Sequence, residues 1–488
     1  MSDTHGSSIA VKRLPHRLTR DIGRTIARFH WAAPERALVL IDRITGLAPM
    51  IVEGLLADCL DDFADRYDDL PEIFSDHFNE ACKRLGRSFE VTRAQKSLIG
   101  AYFTMEYAYA SAAFFNPSMV QDQWSVGLEP GAARFIMSLR AVGEGHISSI
   151  VFRTGVVDAD NAITIDPVPR RSRHLRIVEN YTFERRRFLS KLIEAGAYSD
   201  MAGEVLEHVG ETFAVSDLAE AIEKSRRTLT LPGQFDEVAH SLMWLAHSNY
   251  QIRAPEGTGL SELVIFPLSE NESNGIEDMR LVLFTDDDGT RKYYGTYTAY
   301  NGSRILPQIM EIPGDMTARV HTLGGRYAVN KGLALFPRRI DGRYAMMLRY
   351  DGVNQYFATS DNIRFWNDAV LVDEPTFPWE FVQVGNCGSP IETEAGWLVL
   401  THGVGAMRRY CIGALLLDRD DPSKRIGKLA EPLLMPLPDE REGYVPNVVY
   451  SCGGMIHNDT LIIPFGISDV ETGFATVDVG ELLGALTG

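Results

Sequence analysis

The sequence predicts a mainly β protein: a five-bladed β-propeller with an N-terminal helical region and a helical insertion between blades. Three observations predict it. A strand–turn–strand phrase recurs five times along the chain. Two other stretches carry apolar residues at three- and four-residue spacing, the period of an amphipathic helix. At 488 residues the chain is too long for one ordinary core.

The first helical stretch runs from about Arg17 to Ala113, and residues 1–113 are assigned to the N-terminal helical region. PERALVLIDRITGLAPMIVEGLLADCLDDFADRY carries its pattern. The second runs from about His174 to Ser248, through ERRRFLSKLIEAGAYSDMAGEVLEHVGETF and DLAEAIEKSRRTL, with Ser216 or Asp217 as N-cap. The remainder of 114–488 reads as short β-branched or alternating runs punctuated by Gly, Asn and Asp.

The five copies of the phrase are RFIMSLRAVGEGHISSIVFRTG, KYYGTYTAYNG, RYAMMLRYDGVNQYFATSDNIRFW, GWLVLTHGVGAMRRYCIGALLLD and TLIIPFGISDVETGFATVDV. From Tyr344 to Trp397 to Leu461 the spacing suits one four-stranded blade per copy. A two-sheet sandwich is the competing reading of the same strands. The wider gap between the first two copies is filled by the 174–248 helices, which therefore read as an insertion. In a propeller the inner strands border one channel, so polar residues at equivalent places converge. Those places hold Arg140, Tyr297 with Thr298, Arg349, His402 and Asp469. Such a mixture of ionic, hydrogen-bonding and aromatic side chains suits a sugar.

Composition narrows the function classes. Lys and Arg number 48 against 66 Asp and Glu, a formal charge of −18. So acidic a surface repels nucleic acid and anionic lipid, and neither is expected as a partner. No signal-peptide core or membrane-length apolar run is present in the sequence. Five well-separated cysteines without metal-ligand spacing read as reduced thiols in a cytoplasmic protein, and no metal site is expected. The acidic run DDFADRYDD reads as solvated helix surface. The apolar run IDRITGLAPMIVEGLL reads as an interaction or homo-oligomer surface.

Several motifs, in order, carry a resemblance. SNGIEDMR, YYGTYTAYNG, NKGLALFPRRIDGRYAMMLRY, GNCGSPIETEAGWLVLTHGVG and GYVPNVVYSCG, with FNPSMV and SLRAVGEGHISSIVFRTG ahead of them, resemble glycoside hydrolase family 130. The resemblance spans roughly Phe115 to Leu486 apart from the insertion. It implies a five-bladed propeller and an inverting enzyme. Most of the family are phosphorylases of β-linked mannosides, and some are β-1,2-mannosidases. It therefore implies a mannoside substrate with inorganic phosphate as co-substrate, no further cofactor, and mannose 1-phosphate as product.

The resemblance also implies residue roles. Asp278 matches the general acid, whose proton reaches the glycosidic oxygen through a sugar hydroxyl. Lys331, Arg349 and His402 match phosphate-binding positions. Gln383 stands where many of the phosphorylases have a lysine, which leaves a water-using mannosidase as the runner-up. Asn116, Ser118, Arg140, Tyr297 and Asp469 are the expected sugar contacts, and His146 is a further pocket candidate. An inverting hydrolase needs a carboxylate base, for which Glu392 and Glu144 are candidates by position.

Plainer readings stand beside these. Asp278 and Asp469 could cap turns, Arg349 could pair with Asp351 or Asp361, and His402 could be a satisfied core histidine. If the GIEDMR segment is extended, Glu277 and Asp278 face opposite ways and only one meets the channel. A propeller that binds glycans or proteins without turnover is the third reading.

Overall fold

The computed structural model describes residues 9–488 apart from residues 32, 124–126, 170–171, 174, 179–180, 195, 228–231, 303–304 and 313–316. Its strands form mainly antiparallel sheets met in chain order. The first contains Ala113–Gln121, Ala133–Val142 and Ser148–Val157, with Ile163–Ile165 and Val264–Ile265 at its far side. The second runs Gly275–Thr285, Arg291–Tyr300, Ile305–Ile312 and Thr317–Thr322. One parallel pairing, Gly275 with Ser148, joins it to the first.

The third sheet is Ala334–Leu335, Tyr344–Leu348, Gln355–Ser360 and Asp368–Asp373. In the fourth, Gln383–Asn386 and Ile391–Thr393 both pair with Gly396–Val404, followed by Tyr410–Leu417 and Arg425–Lys428. In the fifth, Val449–Tyr450 and Met455–His457 pair with Thr460–Ile467, followed by Glu471–Asp478. Val11–Leu18 then adds to Glu471–Asp478. The chain start, assigned to the helical region from its sequence, thus supplies an edge strand to the last sheet. Its signal was lost because VKRLPHRL alternates too weakly to announce a strand.

Apolar faces of successive sheets pack against each other. Leu400, Ile412 and Leu416 of the fourth meet Leu461, Ile463 and Phe465 of the fifth. Met346, Leu348 and Ala358 of the third meet Val282 and Phe284 of the second. Burial of this kind contributes about 25 cal/mol per Å² of apolar surface and carries the stability of the sheets.

The N-terminal helices are Pro34–Thr45, Pro49–Phe63, Leu70–Leu85 and Arg93–Tyr102. The chain turns into the last through a capping box: the Gln95 amide donates to Thr92 Oγ1 and the Thr92 amide to Gln95 Oε1, at 3.2 and 3.0 Å. Gly86, at φ +62°, ends the third with the left-handed turn that glycine permits. Their own core is built on Ile41, Val52, Phe78 and Ile99.

The inserted helices are Arg185–Glu194, Asp200–Glu207, Val215–Arg226 and Pro232–His247. The expected start of this segment, His174, lies outside the described residues. Asp217 caps from the third helical position and not as N-cap, accepting from the Ala214 amide at 2.8 Å. Leu192, Val205, Phe213, Leu218 and Leu242 give the insertion its own core. It is tied to the second sheet because Tyr250–Arg253 pairs with Thr317–Thr322. Among the described residues no helix is long and apolar enough to cross a membrane.

Candidate active site

A cavity of about 620 Å³ opens where the ends of all five sheets meet. The first sheet brings Asn116 and Arg140, the second Glu277, Asp278 and Tyr300, and the turn before the third brings Lys331. Arg349 follows the third sheet's second strand. Gln383, His402 and Tyr410 come from the fourth, and Tyr450 and Asp469 from the fifth.

Backbone irregularity, not strand alternation, aims the two acids. Glu277 pairs with Thr298 and Arg280 with Thr296, so the strand of Asp278 holds one residue more than its partner. This bulge puts Asp278 at φ +55°. Both Glu277 and Asp278 then reach the cavity, correcting the expectation that only one would. The same device operates in the first sheet: the register slips between Phe115 and Ser118, with Asn116 at φ +50°. Left-handed non-glycine residues cost about 1–3 kcal/mol each and cluster at functional sites. Asn116 Nδ2 donates to Asp278 Oδ1 at 2.8 Å, joining the two bulges.

Cations surround these acids. Arg140 Nη2 donates to Glu277 Oε1 at 2.8 Å, and its Nη1 lies 3.6 Å from Asp278 Oδ1. Lys331 Nζ pairs with Glu277 Oε2. Burial alone would raise the Asp278 carboxyl; Arg140, Arg280 and Lys331, with the Asn116 hydrogen bond, overrule it and hold it below the usual carboxylate range. Burial wins at Asp469, pushed up to about 6 despite Arg140, with Asp278 adding to the rise.

Arg280, which the sequence reading passed over, lies beneath this floor. It is 2% exposed and donates to the Cys387 carbonyl, the Asp278 carbonyl and the Tyr450 hydroxyl at 2.8, 3.1 and 2.7 Å. It ties the backbone of the strained acid to the fourth and fifth sheets.

The opposite wall is different. Arg349 and His402 are 9% and 1% exposed. Arg349 Nε and Nη1 and His402 Nδ1 have no hydrogen-bond partner among the described residues. The plainer reading of Arg349 does not hold: Asp351 accepts from the Val353 and Asn354 amides and the Tyr356 hydroxyl, and Asp361 pairs with Arg343. Burial, with Arg349 and Arg280 adding to it, pushes His402 well below the usual imidazole range, so it is neutral. Gly385 makes this wall possible. A Cβ there would stand 2.7 Å from His402 Cε1 and 3.3 Å from Arg349 Cδ. The ring of Tyr450 leans on His402 with centroids 4.9 Å apart.

Most of the expected site residues therefore meet. Two do not border the cavity. Ser118 is fully buried, and its Oγ accepts from the Leu281 amide at 2.9 Å, fixing the strand just beyond Asp278. Tyr297 points into the core and donates to Glu272 Oε1 at 3.1 Å; Thr298 is also absent from the lining. Both lie mid-way along Arg291–Tyr300, of which only the last residue, Tyr300, reaches the cavity; the two acids come from the strand before it. Glu392 forms a bidentate pair with Arg338 at 2.9 and 2.7 Å, and neither it nor Glu144 lines the cavity. His146 does, its ring stacked on Tyr444 at 5.2 Å at the rim. Among the described residues no cluster of His, Cys, Asp or Glu is arranged to hold a metal.

Comparison with known proteins decides the family. A chain from Thermoanaerobacter sp. (strain X514), 1,2-beta-oligomannan phosphorylase, is 35% identical over 222 residues, 44% of this chain and 72% of that one. The chain belongs to glycoside hydrolase family 130. The family profile, described as beta-1,4-mannooligosaccharide phosphorylase, matches residues 257–487. That range holds Asp278, Lys331, Arg349, Gln383, His402 and Asp469, and omits both helical regions and all of the first sheet but Val264–Ile265. A second Thermoanaerobacter relative, beta-1,2-mannobiose phosphorylase, is 33% identical across 42% of this chain and 68% of its own. Among solved structures, beta-1,2-mannobiose phosphorylase from Listeria innocua aligns over 77% of this chain and 92% of its own, with a TM-score of 0.45 and 20% identity.

Proposed function

We propose that this family 130 chain performs inverting phosphorolysis of β-mannosides, β-1,2-linked manno-oligosaccharides in particular, and releases mannose 1-phosphate. We also propose that its five sheets are the blades of one propeller whose axis passes through the cavity. One observation carries the reading: buried Arg349 donors and His402 Nδ1, all without hydrogen-bond partners among the described residues, belong to side chains that line the same cavity as Asp278 and Glu277. A buried cation without a counter-charge is costly, and a phosphate would supply both the charge and the acceptors.

The chemistry divides between the two walls. A phosphate oxygen, oriented by Arg349 and His402, attacks the anomeric carbon from the face opposite the leaving group. The new carbon–oxygen bond forms as the glycosidic bond breaks, and a proton from Asp278, passed through a sugar hydroxyl, ends on the leaving oxygen. Phosphate is already an anion and needs no base. Asn116, Arg140 and Asp469 are placed to read hydroxyls.

The β-1,2 linkage draws support from the names of the two Thermoanaerobacter relatives, although the family profile carries a β-1,4 description. Gln383, uncharged on the anion wall, favours the second reading, hydrolysis. Against it, neither Glu392 nor Glu144 lines the cavity. Incubation with β-1,2-mannobiose, with and without phosphate, tests the proposal. Phosphate-dependent mannose 1-phosphate is expected. Free mannose alone would establish the hydrolase, and no product from any mannoside would leave a binding protein.

A further inference from the structure

A second cavity, of about 530 Å³, lies between the inserted helices and the third sheet, and shares no lining residue with the candidate active site. Ligand pockets fall in roughly this size range, 300–1,000 Å³. The insertion contributes nothing to the first cavity, so completing that site does not account for it. It docks through Lys191, which donates to the Leu323 carbonyl, and Glu194, which accepts from the Gly325 amide at 2.7 Å. The cleft beside these contacts stays open.

Its charge runs against that of the molecule. In a chain of net charge −18, five cations line it: Arg186, Arg187, Lys191, Arg343 and Arg364. The acids there, Glu184, Asp361 and Asp368, are each already paired, the first with Arg187 at 3.0 Å and the others with Arg343 at 3.2 and 3.7 Å. Arg186 and Arg364 have no carboxylate partner among the described residues, and they come from the two opposite sides, one from an inserted helix and one from the third-sheet turn. The Tyr181 hydroxyl, beside the Arg364 charge, meets His321 Nδ1 at 2.8 Å. His321 Nε2, on a side chain 4% exposed, has no hydrogen-bond partner among the described residues. Tyr181 and Phe365 add ring faces to the lining, and Asn249, Asn362 and Asn367 add amides.

We propose that this cleft is a second ligand site, for a hexose monophosphate: the phosphate bridges Arg186 and Arg364, and the sugar ring lies against Tyr181 and Phe365. Phosphate suits guanidinium forks, and a pyranose has apolar ring faces and many hydroxyls. The proposal stands apart from the phosphorolysis reading, since none of its residues belongs to that machinery.

Equilibrium dialysis of the full chain against mannose 1-phosphate and mannose 6-phosphate, with inorganic phosphate and mannose as separate arms, tests it. At least one of the sugar phosphates should bind outside the candidate active site, as an equivalent that survives Arg349→Ala. Arg364→Ala should weaken that equivalent by roughly tenfold to a hundredfold, and Arg186→Ala, on an exposed helix face, should do the same. Neither change should alter phosphorolysis at saturating substrate. The proposal is overturned if no such equivalent appears with either sugar phosphate, or if it ignores both arginine variants. Inorganic phosphate binding there as tightly as the sugar phosphates would overturn the sugar part and leave a plain oxyanion site.

Discussion

Asn116 Nδ2 donates to Asp278 Oδ1 at 2.8 Å, and both residues sit in left-handed backbone on bulged strands of neighbouring sheets. Two strained segments are thus spent on one hydrogen bond to the candidate acid. Asp278→Asn keeps the size and an acceptor but has no proton to give. Turnover of β-1,2-mannobiose with phosphate should fall by about 10²–10⁴-fold, with the melting temperature nearly unchanged. Wild-type turnover in that variant would remove Asp278 from the chemistry.

The anion wall separates phosphate affinity from sugar affinity. Arg349→Ala should raise the KM for phosphate at least about tenfold, as expected for a lost charge-assisted contact, and move the sugar KM far less. Gln383→Lys adds a second cation to this wall beside Arg349 and should lower the phosphate KM severalfold. Steady-state kinetics with each substrate varied in turn would check both; equal effects on the two KM values would argue against an anion site.

Gly385 gives a structural version of the same test. Ala at this position places a methyl 2.7 Å from the His402 ring and 3.3 Å from Arg349. These side chains must separate, so Gly385→Ala should raise the phosphate KM while circular dichroism shows the sheets intact. An unchanged phosphate KM would show that the pairing of Arg349 with His402 is not needed.

The acid's protonation should depend on phosphate. In the free site Arg140, Arg280 and Lys331 hold Asp278 below the usual carboxylate range, so it is ionised near neutral pH. An anion bound at Arg349 offsets that cationic field and raises the Asp278 pKa. Activity needs the protonated form and is lost as pH rises through that pKa. The alkaline limb should therefore lie at higher pH under saturating phosphate than under limiting phosphate. Limbs that coincide would show that the anion does not tune Asp278.

Much of this site is legible in sequence because chemistry-bearing residues recur at one place per strand phrase: Arg140, Arg349, His402 and Asp469 all reach one cavity. What fails is parity. A bulge is one extra residue, and nothing in GIEDMR or FNPS announces where strand pairing slips, so Glu277 was missed as a partner of Asp278. Tyr297 shows the converse: it follows the repeat but lies mid-strand and turns into the core, while Tyr300 at the strand's end and the acids of the neighbouring strand reach the cavity. Arg280 and Gly385 act by bridging and by yielding space, effects that depend on residues more than 100 and 15 positions away, Cys387 and His402 among them. The strand Val11–Leu18 is invisible for a similar reason, since its partner lies at the other end of the chain.

Asp469 is the place where function and stability conflict. Its carboxyl titrates near 6 in the folded protein against an ordinary 3.8, chiefly because it is buried. A raised folded-state pKa means the favourable protonated form is fully present below about 3.8 and is lost as pH rises through 6. By pH 8 the folded state carries a buried charge that costs about 3 kcal/mol, taking 1.36 kcal/mol per pKa unit. Asp469→Asn removes this cost. The variant should melt above wild type at pH 8 and close to it at pH 4, while losing activity toward the mannoside. A stability difference of the same size at both pH values would show that ionisation of Asp469 is not its source.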